Sequence, residues 1–244
     1  MLGVSADDQQ KFHGMVDQLG TLRREKAPVK KLTEAFKDLQ KFIGEMVLAK
    51  QENPGDDVLS GLVDSDFTDE EMINISLMLL SAGLDTTASS LAVGTFVLLC
   101  NPDQLAALRE TPEMTEQAVE ELLRYTTILP ITIRAAREDV ELDGHLIKAG
   151  DVVTVASAVA NRDPKKFVDP DALDLSRSER GHLAFGHGVH QCLAQQLARV
   201  ELQIAFPALL RRFPTLRLVD APEEVPVRDE IAFFGLHELQ VAWD

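Results

Sequence analysis

The stretch from Thr68 to Cys100 limits what this chain can fold into more than any other. Thr68 followed three residues later by Glu71 is a capping-box pattern, in which hydroxyl and carboxylate satisfy each other's orphan backbone donors and mark a helix start. From there almost every turn is apolar as far as Cys100, which predicts one long helix over about 68–100. A helix that is apolar all round has no face to offer water, so it should be central and buried, with the other elements packed around it.

Those other elements are mostly helical. From about Val29 to Lys50 the residues Leu32, Phe36, Leu39, Ile43, Met46 and Val47 recur at helical spacing, and the polar run QENPGDD ends the pattern. Asn101-Pro102 stops the central helix and opens a short one, and Thr111-Pro112 does the same for a segment running to about Tyr125. After Pro130 the character changes: VELDG and HLIKAGDVVTVASA combine β-branched residues with glycine turns and read as strands in a small sheet. Beyond Cys192, Leu197, Val200, Ile204 and Leu209 resume helical spacing as far as Phe213-Pro214, with Pro207 expected to kink the helix. LRLVD and HELQVAW read as a closing strand pair, and no repeat or low-complexity tract interrupts the chain. The fold class is therefore mainly α with small β-sheets, in a single domain over 1–244.

Charge narrows the possible partners. With 24 basic and 40 acidic residues the formal charge is -16, which repels phosphate backbones and anionic membranes and argues against nucleic acid. No uninterrupted apolar run approaches the roughly 20 residues of a membrane span. MLGVSADDQQKF has neither the basic leader nor the apolar core of a signal peptide, so no membrane anchor and a cytoplasmic location are expected. The two cysteines, Cys100 and Cys192, make no disulfide framework; in a reducing compartment each is packed, reactive or a metal ligand.

Local context separates them. In HLAFGHGVHQC, Gly186 and Gly188 permit unusual dihedrals and let the backbone approach a flat ligand, while Cys192 is expected at a helix N-terminus, where the dipole favours a thiolate. A thiolate there is a good soft ligand for iron. The same residues also fit a packed cysteine after an ordinary turn, or a cramped zinc site of His187, His190 and Cys192 without a second ligand pair. In the central helix, SAGLDTTASS puts Asp85, Thr86 and Thr87 inside an apolar surface, where burial is costly unless they are paired. A hydroxyl that bonds its own backbone there bends a helix and admits water or a small ligand, which suits proton delivery; polar residues facing solvent or another helix are the plainer alternative. Glu121 and Arg124, three apart on a helix, can pair, and such pairs are commonly solvated and worth under about 1 kcal/mol.

Taken in chain order, AGLDTT at Ala82 to Thr87, EELLR with Glu121 and Arg124, ANRDP at Ala160 to Pro164 and HLAFGHGVHQCLA at His182 to Ala194 closely resemble the cytochrome P450 family. His190, where membrane-bound eukaryotic members usually carry arginine, gives the flavour of soluble bacterial members. The resemblance covers essentially the whole chain and implies the P450 fold, with a haem-binding loop at 182–194 and haem b (iron protoporphyrin IX) as cofactor. It implies that Cys192 is the axial thiolate of the iron and that Asp85 and Thr86 relay protons to bound oxygen. It assigns Arg134 and His182 to the haem propionates, with His190 on the same side, and Phe185 to the aromatic beside the thiolate. Gly186 belongs to the haem-binding loop, Ala82 and Gly83 face the haem from above, and Glu121 and Arg124 form a structural ion pair. Ile131 to Ile133 and Phe233 to Phe234 fall where the family lines its substrate pocket.

The activity implied is that of a haem-thiolate monooxygenase that activates O2 and hydroxylates or epoxidises a hydrophobic small molecule, such as a polyketide or terpenoid of secondary metabolism. No GxGxxG fingerprint for flavin or nicotinamide is present, so electrons are expected from a ferredoxin and its ferredoxin reductase, docking at a basic patch with Arg199 and Arg109. Three departures stand out. Ala194 replaces a glycine, and Ala172 stands where arginine often completes the Glu121–Arg124 cluster. The chain also begins where family members are already past their first helices, and it reads as a fragment, a misplaced start or an N-terminally truncated relative. A non-catalytic or poorly haem-binding piece, or an interaction module, is the competing expectation.

Overall fold

The computed structural model describes residues 2–228 and 233–244, in two compact units, 1–82 and 83–244. In the first, helices α1 (Ala6–Arg24) and α2 (Val29–Glu52) pack side by side, and the short α3 (Val58–Val63) follows. Leu39, Ile43, Met46 and Val47 of the apolar stripe read in the sequence form its core with Phe42 and Leu59. Phe36 of the same stripe is exposed. Asp57 caps α3 by accepting from the Ser60 amide at 2.9 Å and pairs with Lys50 at 2.6 Å.

Helix α4 (Asp69–Cys100) belongs to both units, its first part to one and its remainder to the other. It starts where the capping box places it: the Glu71 carboxylate accepts from the Thr68 amide at 2.8 Å, and the Thr68 hydroxyl accepts from the Glu71 amide at 3.3 Å. The Thr68 amide and, at 2.9 Å, the Thr68 hydroxyl both donate to the Glu71 carboxylate and hold it below its usual pKa. The expectation of full burial holds only in part. Val93 and Leu98 are buried, but Met78 is 57% and Leu84 44% exposed among the described residues. By length and composition alone α4 is also apolar enough to span a membrane, a correction to the reading of short apolar runs; the core helix of a globular protein meets the same criterion.

In the second unit α5 (Pro102–Glu110) and α6 (Thr115–Thr126) begin after the expected Asn-Pro and Thr-Pro breaks. β1 (Thr132–Ala135), β2 (Val140–Leu142), β3 (His145–Ile147) and β4 (Val152–Val155) make two antiparallel pairs, β1 with β4 and β2 with β3. The tight turn between β2 and β3 is Asp143-Gly144, both at positive φ, as a right-twisted two-residue hairpin requires. The short α7 (Ser157–Ala160) leads into the ANRDP segment, and α8 (Gln195–Arg212) follows the Cys192 loop. α8 runs on through Pro207 as one helix. Its Phe206 packs so close to Gly94 of α4 that a Cβ there would lie 2.6 Å from the ring, which is why a glycine serves. Leu98, Leu105, Val119, Leu122, Leu202 and Phe206 join α4, α5, α6 and α8 in one core. The closing pair is β5 (Arg217–Leu218) with β8 (Val241–Ala242), and β6 (Val227–Arg228) pairs with β7 (Gly235–Leu236).

Candidate cofactor-binding site

The site is built on α6. Glu121 and Arg124 face inward with side chains 1% exposed, and Arg124 grips Glu121 through two parallel bonds of 2.7 and 2.8 Å. Its remaining donors reach the carbonyls of Asn161 and Pro170 at 2.8 Å and of Ala172 at 3.3 Å, while its guanidinium lies 5.2 Å from the Phe167 ring centre. A pair that reads as a solvated surface contact is thus a buried hub tying α6 to the segment 161–172.

Arg177 completes the cluster in place of the arginine absent at Ala172. Its Nε stands 3.1 Å from Glu121, and its other nitrogens donate to the carbonyls of Val168 at 2.6 Å, Asp169 at 3.2 Å and Ala172 at 3.4 Å. The only sequence signal for it was a second arginine five residues downstream of Ala172.

Asn161 carries this rigidity to the cysteine loop. Its amide nitrogen donates to the Thr127 hydroxyl at 2.9 Å, and its side-chain oxygen accepts from the Leu183 amide at 2.6 Å. Asn161→Ala would strip a part-buried N–H of its acceptor, which costs about 1–3 kcal/mol. The expected result is a lower thermal midpoint with faster exchange of the Leu183 amide; an unchanged exchange rate there would contradict this role.

From Leu183 the loop turns back on itself. The Gly186 amide donates to the Leu183 carbonyl at 3.0 Å, and the Cys192 amide donates to the Phe185 carbonyl at 2.9 Å. Gly186 and Gly188 take φ of 70° and 76°, so both glycines are required by the backbone. Cys192 is exposed, with Val189 97% and Leu193 83% exposed beside it. One expectation is corrected: α8 begins at Gln195, so Cys192 precedes the helix by three residues and is not in its first turn. The loop therefore presents the sulfur by its own turn geometry. Cys100, half-buried at the end of α4, has its thiol pKa pushed up by burial and is a packed residue.

The other expected site residues fall as follows. His190 and Gly186 are exposed on the cysteine loop, and Arg134 is exposed on β1, donating to the Ile133 carbonyl at 2.9 Å. Gly83, Asp85 and Thr86 are half-buried within unbroken helix, Ala82 is exposed, and the Ser90 hydroxyl bonds the Thr86 carbonyl at 2.8 Å. Thr87 bonds Glu201 of α8 at 3.2 Å, tying that stretch of α4 to the helix that follows Cys192. Ile131, Ile133 and Phe234 are exposed, and the Phe234 amide donates to the Ile128 carbonyl at 2.8 Å. An apolar cavity of about 430 Å³, lined by Ala88, Leu91, Phe213 and Trp243, lies toward the far end of α8 and shares no residue with this set.

His182 departs from the role expected of it. Its Nε2 is 3.1 Å from the Glu120 carboxylate and its Nδ1 accepts from the Ala184 amide at 3.2 Å, so both ring nitrogens are engaged and neither is open to a propionate. Arg199, expected on a docking patch, is likewise held by Glu120, with Nε 2.6 Å and a terminal nitrogen 3.2 Å from its oxygens. Burial alone would raise the Glu120 carboxyl, but the hydrogen bonds and charges of His182 and Arg199 outweigh it and lower its pKa to about 2. Glu120 is thus ionised throughout the neutral range. It was not singled out in the sequence, since it stands beside the more telling Glu121.

The donor chemistry fits a haem iron. Among the described residues no group of three or more His, Cys, Asp or Glu could hold a metal ion, so the zinc alternative lacks its tetrahedral set. A single exposed cysteine sulfur suits an iron whose equatorial ligands come from a macrocycle, and the space beyond Gly188 and Gly83 is open. The exposed Val189 and Leu193 give such a macrocycle apolar contact.

The chain belongs to the cytochrome P450 family, whose model matches residues 4–231 and whose cofactor is haem b. It is 47% identical over 246 residues to cytochrome P450 105C1 of Streptomyces sp, covering 100% of this chain and 64% of that protein. To 6-deoxyerythronolide B hydroxylase of Saccharopolyspora erythraea it is 37% identical over 250 residues, covering 100% of this chain and 61% of that protein. The crystal structure of cytochrome P450 MoxA from Nonomuraea recticatena superimposes with a TM-score of 0.90 at 40% identity, over 100% of this chain and 61% of that one. The chain thus spans a little over three fifths of the relatives it matches.

Proposed function

We propose that residues 1–244 are one domain carrying the haem-thiolate site of a monooxygenase that hydroxylates or epoxidises a hydrophobic small molecule of secondary metabolism. The observation that carries this reading is the exposed Cys192, held at the end of a loop braced through Asn161 to the Glu121–Arg124 hub. Haem, when bound, supplies the activation of O2, and thiolate donation favours O–O cleavage. Cys192 would hold the iron, with Phe185 beside it and Gly186 giving the macrocycle room. Arg134 and His190, both exposed, would meet the propionates. Ala82 and Gly83 would stand over the macrocycle. Thr86 and Asp85 would hold and pass protons toward the oxygen site. A hydrophobic substrate accords with the exposed Ile131 and Ile133, and the naming of one relative as 6-deoxyerythronolide B hydroxylase is consistent with secondary metabolism.

Thr86→Ala removes a hydroxyl from that relay. The expected result is faster release of hydrogen peroxide per electron consumed, with haem content unchanged, measured by peroxide assay against reductant use. Peroxide release at the wild-type ratio would contradict the relay. Electrons would come from a ferredoxin and its reductase in the cytoplasm. Of the two arginines named for docking, Arg109 is exposed and Arg199 is paired with Glu120 at a side-chain exposure of 20%.

A second reading, a non-catalytic piece that binds haem poorly, is favoured by the exposed apolar residues Met78, Leu84 and Ile204. It predicts low haem occupancy and concentration-dependent association. Reconstitution with haem and measurement of haem per chain separates the two.

A further inference from the structure

Three elements meet at one carboxylate. Glu120 on α6 binds His182 at the start of the cysteine loop and Arg199 on α8. Arg199 lies with its guanidinium carbon 4.6 Å from the Phe185 ring centre, and the His182 ring stands 6.1 Å from the same ring. Arg199 is further fixed by bonds to the Gln195 carbonyl at 3.3 Å and side chain at 3.0 Å. Phe185 is therefore held from two sides through its ring, while its carbonyl accepts from the Cys192 amide at 2.9 Å.

We infer that Glu120 is a positioning residue for Cys192, acting through Arg199, His182 and Phe185. Without its carboxylate, Arg199 is held over the ring only by its bonds to Gln195 and His182 loses the acceptor on its Nε2, so the Phe185 carbonyl is freer to drift from the Cys192 amide. The consequence for the backbone holds whether or not haem is bound. A consequence for the iron rests on the function proposed above: Glu120 offsets the positive charge of Arg199 near the thiolate, so removing it would favour the reduced, more negative state and raise the reduction potential.

The test uses Glu120→Gln, which keeps the shape and removes the charge, and Arg199→Gln, which leaves the Glu120–His182 contact in place. In the haem-free chain, amide exchange at Cys192 is expected to speed up on the order of tenfold in Glu120→Gln, as loss of a charge-assisted contact produces, and less in Arg199→Gln. Glu120→Asp should recover part of the protection. In the haem-loaded chain, Glu120→Gln should raise the midpoint potential at constant haem content. If Cys192 exchange is unchanged in both Gln variants, the inference is overturned. Global unfolding of Glu120→Gln together with unaltered exchange in Arg199→Gln would overturn it as well. Absence of haem uptake would sink the proposed function and leave the exchange result to decide this inference.

Discussion

Replacing Arg124 by leucine is expected to destabilise the second unit by about 3–5 kcal/mol, as breaking a buried ion pair from one side does. Glu121 would remain at 1% exposure with the Asp174 amide, which donates to it at 3.1 Å, and the imperfectly aligned Nε of Arg177 beside it. The carbonyls of Asn161, Pro170 and Ala172 would lose a common donor. Against a typical total of about 5–15 kcal/mol, the loss is a large share of what holds a domain together. Lysine is not expected to rescue, because one ammonium cannot make a bidentate grip and reach three carbonyls from a planar fork. Arg177→Leu should cost less, about 1–3 kcal/mol, since Glu121 keeps both bonds from Arg124. Urea unfolding of the three variants checks the order, and equal midpoints for Arg124→Leu and wild type would contradict the hub.

Cys192→Ser is expected to abolish turnover and deplete bound iron, while leaving the fold almost untouched. The side chain is exposed, and the structural bond at this position is made by the backbone amide, which serine keeps. Its stability effect should therefore stay within about 0.5 kcal/mol. The chemical effect is large for a different reason: a serine hydroxyl stays protonated near neutral pH and is a hard, weak ligand where a soft anionic one is needed. Iron content per chain by elemental analysis, beside thermal melts of the haem-free forms, separates the two effects. Full iron occupancy with full turnover in the serine variant would contradict the need for a soft anionic ligand at this position.

Much of the fold is legible in the sequence. The capping box at Thr68, the Asn-Pro and Thr-Pro breaks and the Asp-Gly hairpin are local signals whose physics sits within a few residues, and each appears where expected. What escaped was set by distance in sequence. His182 reads as a free hydrogen-bond donor, because its partner Glu120 lies 62 residues away. Arg199 reads as a surface cation for the same reason, 79 residues from Glu120. The Glu121–Arg124 spacing could announce a pair, yet only the carbonyls gathered from 161–172 turn it into a buried hub. The helical face carrying Met78 and Leu84 follows the same logic in reverse: its composition asks for cover that these residues do not supply.

The central claim is that Cys192 gives a thiolate to a haem iron. The direct measurement is the difference spectrum on adding carbon monoxide to the reduced, haem-loaded protein. The account predicts the strongly red-shifted Soret band of a thiolate-ligated iron, lost in Cys192→Ser. A protein that takes up no haem, or one whose band persists unchanged in Cys192→Ser, would contradict it.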